Sequence, residues 1–270
     1  MIIDVSSRDA SLLHHQIPRV NILGVGVSAI DMREAILYTD AFIQEGRTGY
    51  ICVTGVHGIM EAQSDPHFRS VLNSSNLTTP DGTPTVWLGH LHGFSKMRKV
   101  TGPDYMLALC SQSVAKGYRH FLYGGKPGVA ERLAEVLSEK FPGIQIVGTF
   151  TPPFRPLTAD EEVSLIGQIK EAQPHILWVG LSTPKQERFM EQYVGRLNVN
   201  LMVGVGAAFD LHIGAIKDAP EWMKAAGIQW LHRLIQEPRR LWRRYLFNNP
   251  KFIWKISLQL LGLQQYKIDA

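Results

Sequence analysis

His120-Phe121-Leu122-Tyr123-Gly124-Gly125-Lys126-Pro127-Gly128-Val129 decides the fold. The run 120–123, apolar from Phe121 to Tyr123, ends in a glycine-proline turn, and residues 129–141 continue at helical spacing. The stretch therefore reads as strand, turn, helix. The same unit recurs downstream. A strand at 144–150 leads through a Pro-rich loop to a helix at 159–172. A strand at 176–181 leads through Ser182-Thr183-Pro184 to a helix at 185–196. A strand at 201–205 closes the series at Gly206-Ala207-Ala208-Phe209-Asp210. Four apolar strands separated by helices predict an α/β chain, a Rossmann-like parallel sheet with helices on both faces. Ligands of such sheets sit at the carboxyl ends of the strands. The candidate site is thus built from the loops 124–128, 151–156, 182–186 and 206–210.

Upstream, residues 1–20 read as an irregular arm and 21–27 as one strand. Asp31 caps a helix to about residue 45, and 50–54 is a β-rich strand ending at Gly55-Val56-His57-Gly58. Helical pieces follow at 59–63 and 67–72. A short strand at 76–79 delivers Thr79-Pro80-Asp81-Gly82. Asp81, between a proline and a glycine, is placed in a loop rather than a helix. Asp-Gly alone also fits a plain turn. A helix starts near Pro84. A basic link at 93–102 then runs into a second helix at Thr101-Gly102-Pro103-Asp104.

The 270 residues, 45% hydrophobic and 19% charged, describe a folded globular chain with ample core. Cys52 and Cys110 lie in apolar stretches and read as buried thiols of a reducing compartment. The first ten residues lack a signal-peptide layout, and no apolar run approaches the ~18 residues that span a bilayer. No zinc framework and no full GxGxxG fingerprint occurs. Charge is uneven. Residues 221–270 hold nine Lys/Arg against three Asp/Glu, while the other 220 hold nineteen against twenty-one. Four of the six tryptophans fall in that last segment. We therefore divide the chain into a catalytic-type domain at 1–220 and a basic-aromatic helical appendage at 221–270, which calls for an anionic partner.

Taken singly, the loop motifs leave alternatives open. Gly124, Gly125 and Lys126 suit a phosphate at a helix N-terminus, or a plain turn. Gln186 faces the cleft in a first helical turn and can donate and accept, while Glu187 beside it also suits the helix dipole. His57 reads as structural. In the tail, Arg233, Arg240 and Arg244 approach one helix face, with Pro238 kinking or breaking that helix. Interleaved Arg and Trp suit an anionic lipid surface or a pyrophosphate head group. A solvated Arg face and nucleic-acid binding are the alternatives there, and no nucleic-acid motif accompanies the charge.

Six motifs occur here in one order: Thr79-Pro80-Asp81-Gly82, Thr101-Gly102-Pro103-Asp104, Gly124–Gly128, Gly180–Glu187, Gly204–Asp210 and Glu237-Pro238-Arg239-Arg240-Leu241-Trp242-Arg243-Arg244-Tyr245. In that order they resemble the WecG/TagA/CpsF glycosyltransferases, glycosyltransferase family 26, over residues 21–252. The resemblance implies transfer of a sugar from a UDP-sugar to a polyprenyl-diphosphate-linked sugar at the inner face of the cell membrane. It implies inversion and no essential metal or other cofactor. Asp81 would be the general base and Gln186 would help hold the donor. Thr101, Gly102, Asp104, Gly124, Gly125, Lys126, Pro184, Glu187 and Gly206 would surround the UDP-sugar. Arg233, Arg240 and Arg243 would contact the lipid diphosphate, and a homo-oligomer is compatible. The chain departs from the pattern at Thr54–Gly58, where many members carry an Asn-Pro-Glu-like segment. It also has Asp218-Ala219-Pro220 where members carry Arg-Ala-Pro. An N-acetylmannosamine-type and a glucosyl-type donor both fit. A non-catalytic nucleotide-binding regulator with a membrane-surface tail is the alternative from another class.

Overall fold

Alternation along the strands explains the architecture. Tyr50, Cys52, Phe121, Tyr123, Leu177, Val179 and Met202 enter one core, while Ile51, Leu122, Ile176, Trp178, Leu201 and Val203 enter the other. Successive strand side chains point to opposite faces, so a strand apolar at every position needs cover on both sides. The structure, a computed structural model, describes residues 17–268, apart from the side chains of Ala225, Arg240 and Arg244.

The first described elements are β1 (Arg19–Ile22) and β2 (Val25–Ser28), an antiparallel hairpin. The single strand expected at 21–27 is corrected here. Leu23 at φ 52° and Gly24 at φ 84° make a two-residue left-handed turn, and Asn21 Oδ1 accepts the Gly24 N–H at 2.9 Å. Leu23 carries no composition signal for that turn, so the reversal is invisible in the sequence.

Six strands form the main sheet: β3 (Gly49–Thr54), β4 (Leu77–Pro80), β5 (Arg119–Gly124), β6 (Gln145–Phe150), β7 (Ile176–Gly180) and β8 (Leu201–Gly204). They are all parallel, in the order β4-β3-β8-β7-β5-β6. Besides the four strands expected from 118 onward, the sheet thus takes in β3 and β4, whose carboxyl ends meet at Asp81. One face is covered by α1 (Met32–Gln44), α5 (Gly102–Lys116) and α6 (Val129–Lys140), with the short α9 (Ala208–His212). The other carries α2 (Val56–Glu61), α3 (Pro66–Ser74), α7 (Ala159–Ala172) and α8 (Lys185–Tyr193). Helix α4 (Thr83–Leu91) follows Asp81 directly. Asp31 starts α1 through a capping box with Glu34, and Thr158 does the same for α7 with Glu161. Cys52 and Cys110 are buried free thiols.

The basic-aromatic segment is helical: α10 (Glu221–Ala225), α11 (Gln229–Gln236), α12 (Pro238–Arg243), a π-helical turn Arg244–Asn248 and α13 (Asn249–Leu260). Pro238 opens α12, where a missing N–H costs nothing, so it separates two helices rather than kinking one. Helix α13 inserts Phe252 and Ile256 into the core under the hairpin. Its Gln259 accepts the Leu23 N–H at 2.8 Å and donates to Asn21 O at 2.8 Å.

Candidate active site

A cleft of about 860 Å³ opens at the carboxyl ends of the strands. The order of connections explains its position. The chain steps outward from β3 to β4 on one side and from β5 to β6 on the other, leaving β8 and β7 between them. Asp81 comes from the end of β4, with its own N–H donating to Thr54 O at 3.1 Å. Lys126 comes from the turn after β5, Lys185 and Gln186 from the start of α8, and Gly206 from the loop after β8. Arg233 and Leu241 bring the helical tail to the same cleft.

Of the residues expected at the site, Asp81, Gly102, Gly125, Lys126, Gln186, Gly206 and Arg233 line the cleft. Thr101, Asp104, Gly124, Pro184 and Glu187 are not among its lining residues. Thr101 caps α5: its hydroxyl donates to Asp104 Oδ2 at 2.6 Å and accepts the Asp104 N–H at 3.4 Å. Gly102 reaches the lining because a Cβ there would stand 2.8 Å from Val205 O. The Gly125 N–H is committed to Gly180 O at 3.1 Å, so the charge that this turn offers to an anion is the exposed Lys126 ammonium. Among the described residues neither Lys126 nor Lys185 has an ion-pair partner. Arg243 is exposed and lies over the Trp242 ring, 5.2 Å from its centroid. The Arg240 side chain lies outside the described residues.

Gln186 is almost fully buried although it borders the cleft. Its Oε1 accepts the Gly206 N–H at 2.9 Å and its Nε2 donates to Glu187 Oε1 at 3.0 Å. It can lie against β8 because Gly204 has no Cβ; one there would stand 3.0 Å from Gln186 Nε2 and 2.9 Å from the Met190 methyl. Glu187 also accepts from the Thr183 hydroxyl at 2.8 Å. Burial pushes the Glu187 carboxyl above its ordinary range, and these hydrogen bonds only partly offset that.

Several lining residues carry no motif of their own. His57 stands in the first turn of α2, not at the end of a strand, with Nδ1 3.6 Å from Glu61 Oε1 and 3.5 Å from Asn248 Nδ2. Arg155 comes from the Pro-rich loop and is held by both oxygens of Glu161 at 2.7 and 2.8 Å. That ion pair and the Thr158 N–H bring the Glu161 carboxyl down to about 2. Arg188, on α8, pairs with Asp65. The only sequence signal for these residues is their place in loops and first turns beyond the strand ends. Arg233 pairs with Glu237 at 3.3 Å, and its Nε is buried without a partner among the described residues. Among the described residues no three His, Cys, Asp or Glu side chains converge as a metal site would require.

Comparison with known proteins gives a consistent result. The profile of the family described as "Glycosyl transferase WecG/TagA/CpsF family" matches residues 20–266. A protein of Bacillus subtilis (strain 168) named N-acetylglucosaminyldiphosphoundecaprenol N-acetyl-beta-D-mannosaminyltransferase is 31% identical over 191 residues, covering 71% of this chain and 72% of that protein. A protein of the same name from Bacillus spizizenii (strain ATCC 23059 / NRRL B-14472 / W23) is 27% identical over 212 residues, covering 78% of this chain and 80% of that protein.

Proposed function

The chain belongs to the WecG/TagA/CpsF family of glycosyl transferases, and from that premise we propose that it moves a sugar from a UDP-sugar to a polyprenyl-diphosphate-linked sugar. The names of its relatives favour an N-acetylmannosaminyl donor and an N-acetylglucosaminyl-diphosphate lipid as acceptor; a glucosyl donor is the competing choice. The product enters bacterial surface-polymer synthesis.

One observation carries this reading. Asp81, the cations Lys126 and Lys185, and Arg233 of the tail border a single cleft at the ends of a parallel sheet. A base for an acceptor hydroxyl, cations for a leaving diphosphate and an Arg for a second diphosphate are the groups this transfer needs. In the proposed step the acceptor oxygen bonds to the anomeric carbon and its proton passes to the Asp81 carboxylate. The bond from that carbon to the UDP oxygen breaks, and its electron pair leaves with UDP. One displacement inverts the anomeric centre. The negative charge developing on UDP faces Lys126 and Lys185, so the reading needs no metal. Arg233, which borders the cleft, takes the acceptor's diphosphate, where a guanidinium offers forked donors, and Arg240 and Arg243 of α12 are assigned to the same head group at the membrane surface.

The acceptor's lipid implies contact with a membrane surface. No helix among the described residues is long and apolar enough to cross a membrane. Trp242, Ile253, Trp254, Leu261 and Leu263 are exposed on the tail alongside Arg243 and Lys251, the mixture that a peripheral, anionic lipid contact uses. The test is mass analysis of a polyprenyl-diphosphate-N-acetylglucosamine analogue incubated with UDP-N-acetylmannosamine or UDP-glucose. A product heavier by one sugar from one donor establishes the reaction and names the sugar. An unchanged acceptor with both donors contradicts the reading.

A further inference from the structure

Glu187 stands in the first turn of α8 with 1% of its surface exposed. The residues that line the cleft include Thr183 and Gln186 but not Glu187. Its Oε1 accepts two hydrogen bonds, from Thr183 Oγ1 at 2.8 Å and from Gln186 Nε2 at 3.0 Å. Its Oε2 is buried without a partner among the described residues. A hydroxyl that gives its proton to a carboxyl oxygen keeps only lone pairs for other partners. Toward the cleft, Thr183 can therefore accept a hydrogen bond and not donate one. The same carboxyl oxygen fixes the Gln186 amide, whose own oxygen holds the Gly206 N–H at 2.9 Å.

Resting on the reading of this cleft as the donor site, we propose that Glu187 is a positioning residue that presents Thr183 to the UDP-sugar as a hydrogen-bond acceptor for one of its O–H or N–H groups. Glu187 itself touches no substrate. Its burial raises its carboxyl above the ordinary range, but the arrangement holds in either protonation state, because Oε1 accepts in both. A carboxyl with only a packing task would show itself in stability and not in donor affinity.

The test is a double-mutant cycle on the full chain, read by titration calorimetry with UDP and with UDP-N-acetylmannosamine, alongside thermal melts. Thr183→Val keeps the side-chain shape and removes the acceptor; the UDP-sugar is expected to bind ~tenfold more weakly. Glu187→Leu is expected to weaken it at least as much, and the double variant no further than Glu187→Leu alone. Glu187→Gln keeps an acceptor oxygen at the same place and recovers part of the loss. Wild-type affinity in Thr183→Val, losses that multiply in the double variant, or a Glu187→Leu protein that melts earlier but binds normally would each overturn the proposal. Should Glu187→Leu not fold, Thr183→Val and the partial recovery in Glu187→Gln decide it. A wild-type chain that binds neither probe overturns the donor-site reading and this proposal together. Binding without transfer removes only the catalytic reading, and the mutant cycle then still decides the role of Glu187.

Discussion

The side-chain oxygen of Gln186 accepts the backbone N–H of Gly206 at 2.9 Å, tying the first turn of α8 to the loop after β8. One lone pair of the Gln186 oxygen and one of its N–H groups are thus used inside the protein, and so is the Gly206 N–H.

Replacing Gln186 tests that link. Gln186→Ala leaves the Gly206 N–H without its partner and opens a gap against Gly204 and Met190. A loss of about 1–3 kcal/mol is expected in urea denaturation, together with a fall in kcat. Wild-type stability and turnover would show that the hydrogen bond is incidental.

Helix α13 is expected to matter to the whole fold and not only to a membrane contact. Gln259 satisfies both the Leu23 N–H and the Asn21 carbonyl at the hairpin turn. Gln259→Ala should cost about 1–3 kcal/mol, whereas Trp254→Ala, at an exposed position on the same helix, should leave the urea midpoint unchanged and weaken binding to anionic vesicles. Equal effects of the two on stability would contradict the division of labour.

His120 predicts an acid-sensitive limb. Its ring is buried in the core, with Nδ1 accepting the Trp178 Nε1–H at 2.9 Å and Nε2 without a partner among the described residues. Burial, aided by nearby His175, lowers its pKa to about 3. The unfolded chain takes up the proton near the ordinary histidine value of ~6.5 while the native chain stays neutral. Stability present above pH ~6.5 is therefore lost progressively as pH falls toward about 3, by up to several kcal/mol. Urea midpoints measured across that window should fall steeply for the wild type. They should fall less for His120→Gln, whose amide oxygen can still accept from Trp178.

Arg233 and Arg243 should separate in kinetics. Arg233 borders the cleft and Arg243 is exposed over Trp242. Arg233→Ala is expected to raise the KM for the lipid acceptor by ~tenfold with the donor KM little changed. Arg243→Ala should act chiefly on acceptor presented in vesicles. A larger effect of Arg233→Ala on the donor would reassign it to the UDP side.

The parallel sheet was legible because each strand-helix unit after 118 carries its own period and turn residues. Asp81 was legible as a loop carboxylate because Pro80 and Gly82 bracket it. The hairpin was not, since Leu23 adopts a left-handed conformation that its composition does not signal. The burial of Glu187 and the internal use of Gln186 were hidden as well. They depend on the missing Cβ of Gly204, which lets α8 settle against β8, and a helix period in one sequence does not report that contact. Arg155, Arg188 and His57 reach the cleft only through the packing of loops and first turns.

The central claim is that Asp81 is the base of a sugar transfer. The most direct measurement is acceptor-dependent UDP release by the wild type and by Asp81→Asn, each with and without chelator, on the same UDP-sugar and lipid-diphosphate analogue. The account predicts release that requires the acceptor, ignores the chelator and falls by ~10²–10⁴ in Asp81→Asn, while UDP binding and the melting temperature stay near wild type. Wild-type release from Asp81→Asn would contradict the role of Asp81, and release abolished by chelator would contradict metal independence.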